Sequence, residues 1–116
     1  AVGNDGTENM PRYPAAYPGV IGVTAVDARG AALPQANRGA FVALSAPGVD
    51  LWIPGQPKNA NLIVTGTSFA APYVTAILAM DGNDPKAVLG RARDLGVPGP
   101  DPVFGYGMVQ APAGCD

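Results

Sequence analysis

Residues 65–74 read Thr-Gly-Thr-Ser-Phe-Ala-Ala-Pro-Tyr-Val, a sequence that predicts a tight turn followed at once by a helix. The preceding residues 62–65 are short, branched and apolar, which favours a buried strand. Gly66 permits backbone angles that a side chain would forbid, so the chain can turn sharply there. Thr67 and Ser68 suit a helix start because their oxygens accept first-turn N–H groups. The apolar run that follows predicts a buried helix over residues 69–80.

Ser68 has two interpretations. In a bare Gly-x-Ser tripeptide the serine is most often an ordinary helix cap. Alternatively it is a nucleophile, since amide donors and the positive end of the helix dipole stabilise an oxyanion that forms beside it. The string Gly66-Thr67-Ser68, followed by small residues and Pro72, closely resembles the nucleophile segment of the subtilisin-like serine proteases (subtilases). Esterase and penicillin-recognising motifs fit worse, because this chain has alanine where they need glycine or lysine.

The composition limits the classes of function. A chain of 116 residues forms one domain with a modest core, and 47% hydrophobic with 14% charged residues indicates a folded chain. A net charge of -2 gives no basic footprint for nucleic acid. No apolar run reaches the roughly 18 residues of a membrane span. We therefore expect neither nucleic acid nor a membrane as a partner. The alanine start without a signal peptide suggests a processed or excised piece.

Histidine is absent from the whole sequence. A serine hydroxyl is a poor nucleophile until a base takes its proton, so this chain alone is expected to be inactive. No cofactor is expected. The single cysteine, Cys115, cannot form a disulfide within the chain, which leaves a free thiol or a bridge to another segment.

Residues 1–6 read Ala-Val-Gly-Asn-Asp-Gly, which on its own is a turn signal. In subtilases a very similar segment ends a core strand, and its asparagine donates one of the two oxyanion-hole hydrogen bonds. The resemblance implies that role for Asn4, whose neutral amide suits developing negative charge. Asn4 lies 64 residues before Ser68, in the order that the family shows. By the same resemblance, the neighbouring Gly3 and Thr67 contact substrate.

Residues 10–18 contain three prolines, which predicts an extended surface connection. They resemble the subtilase Tyr-Pro-x-x-Tyr-Pro segment beside the primary specificity pocket. By that likeness Arg12 is a substrate-binding residue near the pocket floor, and a preference for acidic residues before the cleaved bond follows as a hypothesis. The alternative is a solvated arginine on a loop.

Three segments are predicted to form the central strands of a parallel sheet: residues 20–26, 41–45 and 62–65. The first is apolar on both faces, as a buried parallel strand would be. Residues 50–60 are predicted to be a loop in which Trp52 covers the edge of the core. Asn59 and Asn61 are predicted to lead from this loop into the nucleophile strand.

Two further segments depart from the usual subtilase pattern. Asp84 and Pro85 predict a helix start and a short helix over residues 86–93, after a helix that is itself shorter than in the family. Many subtilases carry a cation-binding aspartate where this chain has Ala43, so no metal site is expected.

The resemblance covers residues 1–111 and implies an α/β fold. Residues 1–116 are interpreted as one domain, the C-terminal portion of a parallel, three-layer subtilisin-like sheet whose upstream half is absent. The resemblance implies a peptide or protein substrate, with the catalytic aspartate and histidine on a missing upstream segment or a second chain. It also implies a secreted or periplasmic location. The alternative is a non-catalytic subtilase-like binding or structural module, which the absent histidine favours and the intact Asn4 and Ser68 disfavour.

Overall fold

The computed structural model describes residues 1–55 and 62–114. Within these ranges the elements are β1 (Val23–Val26), β2 (Leu44–Pro47), β3 (Leu51–Ile53), β4 (Leu62–Val64), α1 (Thr67–Met80) and α2 (Pro85–Arg91). The predicted α/β class is confirmed, since α1 packs on a parallel pair of strands. The expectations for Asn59, Asn61 and Cys115 lie outside the described residues. None of the described helices is long and apolar enough to cross a bilayer.

Strands β1 and β2 pair in parallel, with Val23 opposite Leu44. All four β1 residues are buried, as the apolar character of both faces predicts. Each strand starts three residues later than predicted, at 23 and 44 instead of 20 and 41.

A turn ends shortly before each of these strands, within the range predicted as strand. The N–H of Val20 donates to the carbonyl of Tyr17, and the N–H of Val42 donates to that of Gly39, both at 3.1 Å. Local hydrogen bonds of this kind compete with the ladder of a sheet, and strand composition alone does not reveal them.

Helix α1 covers the parallel pair. Ala70 and Val74 are buried in the core cluster, where the small Ala70 side chain lets the helix approach the strands. The other side of α1 is also apolar but open to solvent, with Tyr73 43% and Met80 52% exposed. We call this side the open face of α1, defined by Pro72, Tyr73, Ala76, Ala79 and Met80.

Strand β4 lies outside the parallel pair, contrary to the prediction. It pairs antiparallel with β3, which falls within the predicted loop, and Leu51 lies opposite Val64. Burial was also predicted wrongly, because Leu62 is 57% and Ile63 is 70% exposed. Trp52 on β3 is 62% exposed and does not cover the core edge.

The base of this antiparallel pair is closed by Thr65. Its hydroxyl oxygen accepts from the N–H of Asp50 at 2.9 Å. Antiparallel strands need only a short connection, whereas parallel strands need a crossover of a dozen or more residues. The proximity of the two segments along the chain therefore explains why β4 pairs with β3.

Helix α2 begins as predicted, with Pro85 in its first turn and Asp84 as its N-cap. The Asp84 carboxylate accepts from the N–H groups of Lys86 at 3.0 Å and Ala87 at 3.4 Å. The helix ends at Arg91 instead of residue 93. Arg93 is bonded elsewhere, because its N–H donates to the carbonyl of Met108 at 2.9 Å.

Residues 10–18 are not extended as predicted. The N–H of Ala16 donates to the carbonyl of Arg12 at 2.8 Å, and the N–H of Tyr17 donates to that of Pro14 at 3.1 Å. Proline is compatible with such turns as well as with extended chain, so composition alone does not distinguish the two.

Candidate active site

The candidate site forms where the chain turns from β4 into α1. Gly66 caps α1 with a φ of 155°, a value that L side chains rarely adopt. The N–H of Gly66 donates at 2.8 Å to the carbonyl of Gly48, directly after the end of β2 at Pro47. The start of α1 therefore lies at the carboxyl end of a parallel strand, where open α/β sheets bind their ligands.

Asn4 caps α1 from the N-terminal segment of the chain. Its side-chain oxygen Oδ1 accepts from the N–H of Thr67 at 2.9 Å. The predicted capping by the Thr67 and Ser68 hydroxyls is wrong, because the N-cap residue is Gly66. The Thr67 hydroxyl oxygen instead accepts from the N–H of Gly3 at 3.2 Å. The structure thus brings Gly3, Asn4, Thr67 and Ser68 together.

The orientation of the Asn4 amide follows from this contact. Only Oδ1 can accept from a backbone N–H, so Nδ2 is the end left to donate. A Cβ built on Gly66 would lie 3.7 Å from Nδ2, which places this donor beside the start of α1. Asn4 is exposed, so a ligand can reach it from solvent.

Ser68 is the second residue of α1, and its side chain is exposed. The first N–H groups of a helix have no partner within the helix, so the Ser68 N–H is a second donor. The first turn carries no acidic residue to offset the positive end of the dipole. In residues 1–55 and 62–114 no group accepts the proton of the Ser68 hydroxyl. The site therefore holds a hydroxyl and two donors, without a base.

A shallow cleft of about 260 Å³ adjoins the site. Asn4, Leu33, Gln35, Thr65 and Gly66 line it. Sites that enclose a whole small ligand typically measure 300–1,000 Å³, and this cleft is slightly smaller than such sites.

Arg12 forms an ion pair with Asp5, the residue that follows Asn4 in the chain. Its guanidinium Nη2 is 3.2 Å from a carboxylate oxygen of Asp5, and its side chain is 43% exposed. The positive charge of Arg12 is therefore partly offset by Asp5. The Nε of Arg12 is buried without a hydrogen-bond partner among the described residues.

Asn37 is a residue of the site that the sequence interpretation missed. It lies between the first two predicted strands, in a segment to which the sequence assigned no role, yet it is fully buried. Its Oδ1 accepts from the N–H groups of Asp5 at 3.1 Å and Thr7 at 3.0 Å, two residues that follow Asn4 in the chain. An asparagine in a turn gives no sign in the sequence that it will be buried.

Metal ligands are not grouped in this part of the molecule. Within the ranges that the structure describes, no three His, Cys, Asp or Glu side chains lie close enough to hold one ion.

Known sequences that resemble this chain include subtilisin-like proteases. A sequence model described as the subtilase family matches residues 1–107. The chain is 34% identical over 120 residues to the minor extracellular protease Epr of Bacillus subtilis, covering 95% of this chain and 18% of that protein. It is 36% identical over 110 residues to subtilisin-like protease 9 of Arthroderma otae, covering 87% of this chain and 26% of that protein.

Two solved structures share the fold. The prenylagaramide maturation protease PagA superposes with a TM-score of 0.72 at 25% identity, covering 94% of this chain and 46% of that chain. A lanthipeptide protease superposes with a TM-score of 0.77 at 23% identity, covering 93% of this chain and 46% of that chain. The chain thus spans less than half of these structures and about a fifth to a quarter of the two curated relatives.

Proposed function

This chain belongs to the subtilase family, and from that premise we propose that it supplies the nucleophile and the oxyanion donors of a serine endopeptidase. Ser68 Oγ attacks the peptide carbonyl, while Asn4 Nδ2 and the Ser68 N–H hold the oxyanion. The observation that carries the proposal is the 2.9 Å hydrogen bond from the Thr67 N–H to Asn4 Oδ1. This bond fixes the amide oxygen and leaves the amide donor beside the first turn of α1.

The proton of Ser68 needs a base, and this chain has no histidine to serve as one. We propose that a histidine, oriented by an aspartate, is supplied by an upstream segment or a second chain. The open face of α1 supports such a partner, because a helix that is apolar on all sides is normally buried. We call this chain together with the segment that carries the base the catalytic unit.

The substrate proposed for the catalytic unit is a peptide or protein. Gly3, Thr67 and Arg12 would border the residues next to the cleaved bond, and Arg12 would favour acidic side chains there to the extent that Asp5 leaves its charge uncompensated. We also propose export to a secreted or periplasmic location, in keeping with the name of the extracellular Bacillus subtilis relative.

The test is hydrolysis of a peptide substrate by the catalytic unit, assembled by expressing this chain with the coding sequence upstream of Ala1. Ser68→Ala is expected to abolish hydrolysis, because no other group replaces the nucleophile. Asn4→Ala is expected to lower kcat about 10²- to 10³-fold, the size found when one oxyanion-hole donor is removed from a subtilisin. Ser45→Ala is a matched control, since Ser45 is fully buried and bonded to the carbonyl of Phe104 outside the site.

The competing function is a non-catalytic binding or structural module of the same fold. The absence of histidine from this chain favours it. A unit that binds the peptide with equal affinity in the parent and Ser68→Ala forms, and hydrolyses it in neither, would establish the module and exclude the protease.

A further inference from the structure

Asn37 makes an unusually dense set of hydrogen bonds. Its Oδ1 accepts from the Asp5 N–H at 3.1 Å, the Thr7 N–H at 3.0 Å and the Thr7 hydroxyl at 3.0 Å. Its Nδ2 donates to the Val2 carbonyl at 3.0 Å and to the Asp5 carboxylate at 3.2 Å. The backbone N–H of Asn37 donates to the Gly3 carbonyl at 3.0 Å. All of these partners lie within residues 2–7.

These contacts bracket Asn4 without touching its side chain. Val2 and Gly3 are held before it, and Asp5 and Thr7 are held after it. The amide of Asn4 is fixed separately by the Thr67 N–H. Residues 2–7 also bond to the backbone of Val23, Gln35 and Arg38, but among the described residues only Asn37 contacts the residues on both sides of Asn4 with one side chain. The Asn4 side chain is held by α1 instead.

Gly3 is the glycine that admits this arrangement. A Cβ at Gly3 would lie 2.5 Å from Asn37 Nδ2, closer than real Cβ atoms approach. Gly3 and Gly6 both have positive φ, at 98° and 67°. A segment with two such glycines has a large conformational freedom of its own, so an external clamp is needed to hold it in one conformation.

We propose that Asn37 is a positioning residue for the oxyanion donor Asn4, an inference that rests on the function proposed above. Oxyanion stabilisation depends on donors held in place before the reaction. Asn37 provides this by fixing the backbone on both sides of Asn4 from a fully buried position. Without Asn37, two backbone N–H groups and the Val2 carbonyl lose their partners, and residues 2–7 must rearrange to find others.

A double-mutant cycle in the catalytic unit tests this inference, with Asn37→Ala, Asn4→Ala and the combination of both. Asn37→Ala is expected to lower kcat roughly 10- to 100-fold, as a misplaced catalytic group does, with KM changed less than about twofold. In the Asn4→Ala background the same substitution is expected to lower kcat by less than about twofold, because the donor that it positions is gone. Ser45→Ala is the control for loss of a buried hydrogen bond and is expected to leave kcat unchanged.

Three results would overturn the inference: an unchanged kcat in Asn37→Ala, an equal loss with and without Asn4, or an equal loss in Ser45→Ala. If Asn37→Ala does not fold, Asn37→Asp made together with Asp5→Asn decides the question by the same cycle, with Asp5→Asn as the reference. The exchange keeps a donor and an acceptor at the contact between residues 5 and 37 and removes the donor to the Val2 carbonyl. Failure of the proposed function gives a different result, since the parent unit would then not hydrolyse the peptide at all, or Asn4→Ala would leave its kcat unchanged.

Discussion

Gly48 joins the parallel strands to the candidate site, and its replacement by alanine should disturb both. Gly48 is buried, and its carbonyl accepts from the N–H of Gly66 at 2.8 Å. A Cβ at this position would lie 2.6 Å from the Cβ of Ala25, 2.9 Å from the carbonyl oxygen of Gly66 and 3.1 Å from the Cβ of Ala70. None of these atoms belongs to a flexible side chain that can swing away.

The size of the effect follows from these distances. The contact with Ala25 falls about 0.8 Å short of ordinary van der Waals contact, which begins near 3.4 Å. Overpacking of a close-packed core typically lowers the free energy of unfolding by about 1–3 kcal/mol. We expect a loss in the upper part of that range for Gly48→Ala, because relief requires α1 or β1 to move. Since the Gly66 carbonyl at the start of α1 is itself crowded, we expect kcat/KM to fall roughly tenfold or more as well.

The assay is urea unfolding of the catalytic unit together with its kcat/KM for a peptide substrate. Gly90→Ala is the matched control, because Gly90 is exposed in α2 and a Cβ there meets nothing within 4 Å. Alanine in a helix is more favourable than glycine, so Gly90→Ala is expected to raise the free energy of unfolding by about 0.5–1 kcal/mol without changing kcat/KM. A Gly48→Ala unit with the unfolding free energy and kcat/KM of the parent would refute the reasoning.

Three further predictions concern single side chains. Asp84→Ala should lower the free energy of unfolding by about 1 kcal/mol, because α2 loses its N-cap, and Asp84→Asn should restore most of it in urea unfolding. The N–H groups of Ala31 and Arg29 lower the pKa of Asp27 below its ordinary 3.8. The stabilisation by Asp27 is therefore complete above its ordinary pKa and is lost as the pH falls through the lower folded pKa. The free energies of unfolding of the parent and Asp27→Ala, measured by urea unfolding, should become equal in acid. A difference between them that does not change with pH would exclude this linkage. Arg12→Ala should reduce any preference for acidic residues in a peptide-library cleavage profile. Arg29→Ala, a control whose side chain is 92% exposed, should leave the preference unchanged. An Arg12→Ala profile identical to that of the parent would show that Arg12 does not bind substrate.

Local signals in the sequence predicted both described helices and both strands of the parallel pair, with bounds that differ by up to three residues. Asp84 and Pro85 mark the start of α2, and the apolar run after Ser68 marks α1, because capping and helix propensity act over a few residues. Strand β4 was recognised as a strand but assigned to the wrong sheet. Pairing depends on which segment lies nearby in space, and the residues of β4 do not encode it.

The candidate site was predicted through the resemblance, residue by residue, and the structure brings Gly3, Asn4, Thr67 and Ser68 together. Asn37 was missed for a physical reason. Its importance comes from burial and from contacts with residues about 30 positions earlier in the chain, and turn chemistry predicts neither. The cap on α1 was assigned to local hydroxyls for the same reason, although Asn4 supplies it from a distance of 63 residues.

The central claim is that Ser68 is the nucleophile of a subtilase catalytic unit, and covalent labelling tests it most directly. A fluorophosphonate probe is added to the catalytic unit, and the labelled peptide is identified by mass spectrometry. The account predicts one adduct, on Ser68, which is lost in Ser68→Ala and retained in Ser45→Ala. A unit that hydrolyses peptides with no adduct on Ser68, or with the adduct on another residue, would contradict it.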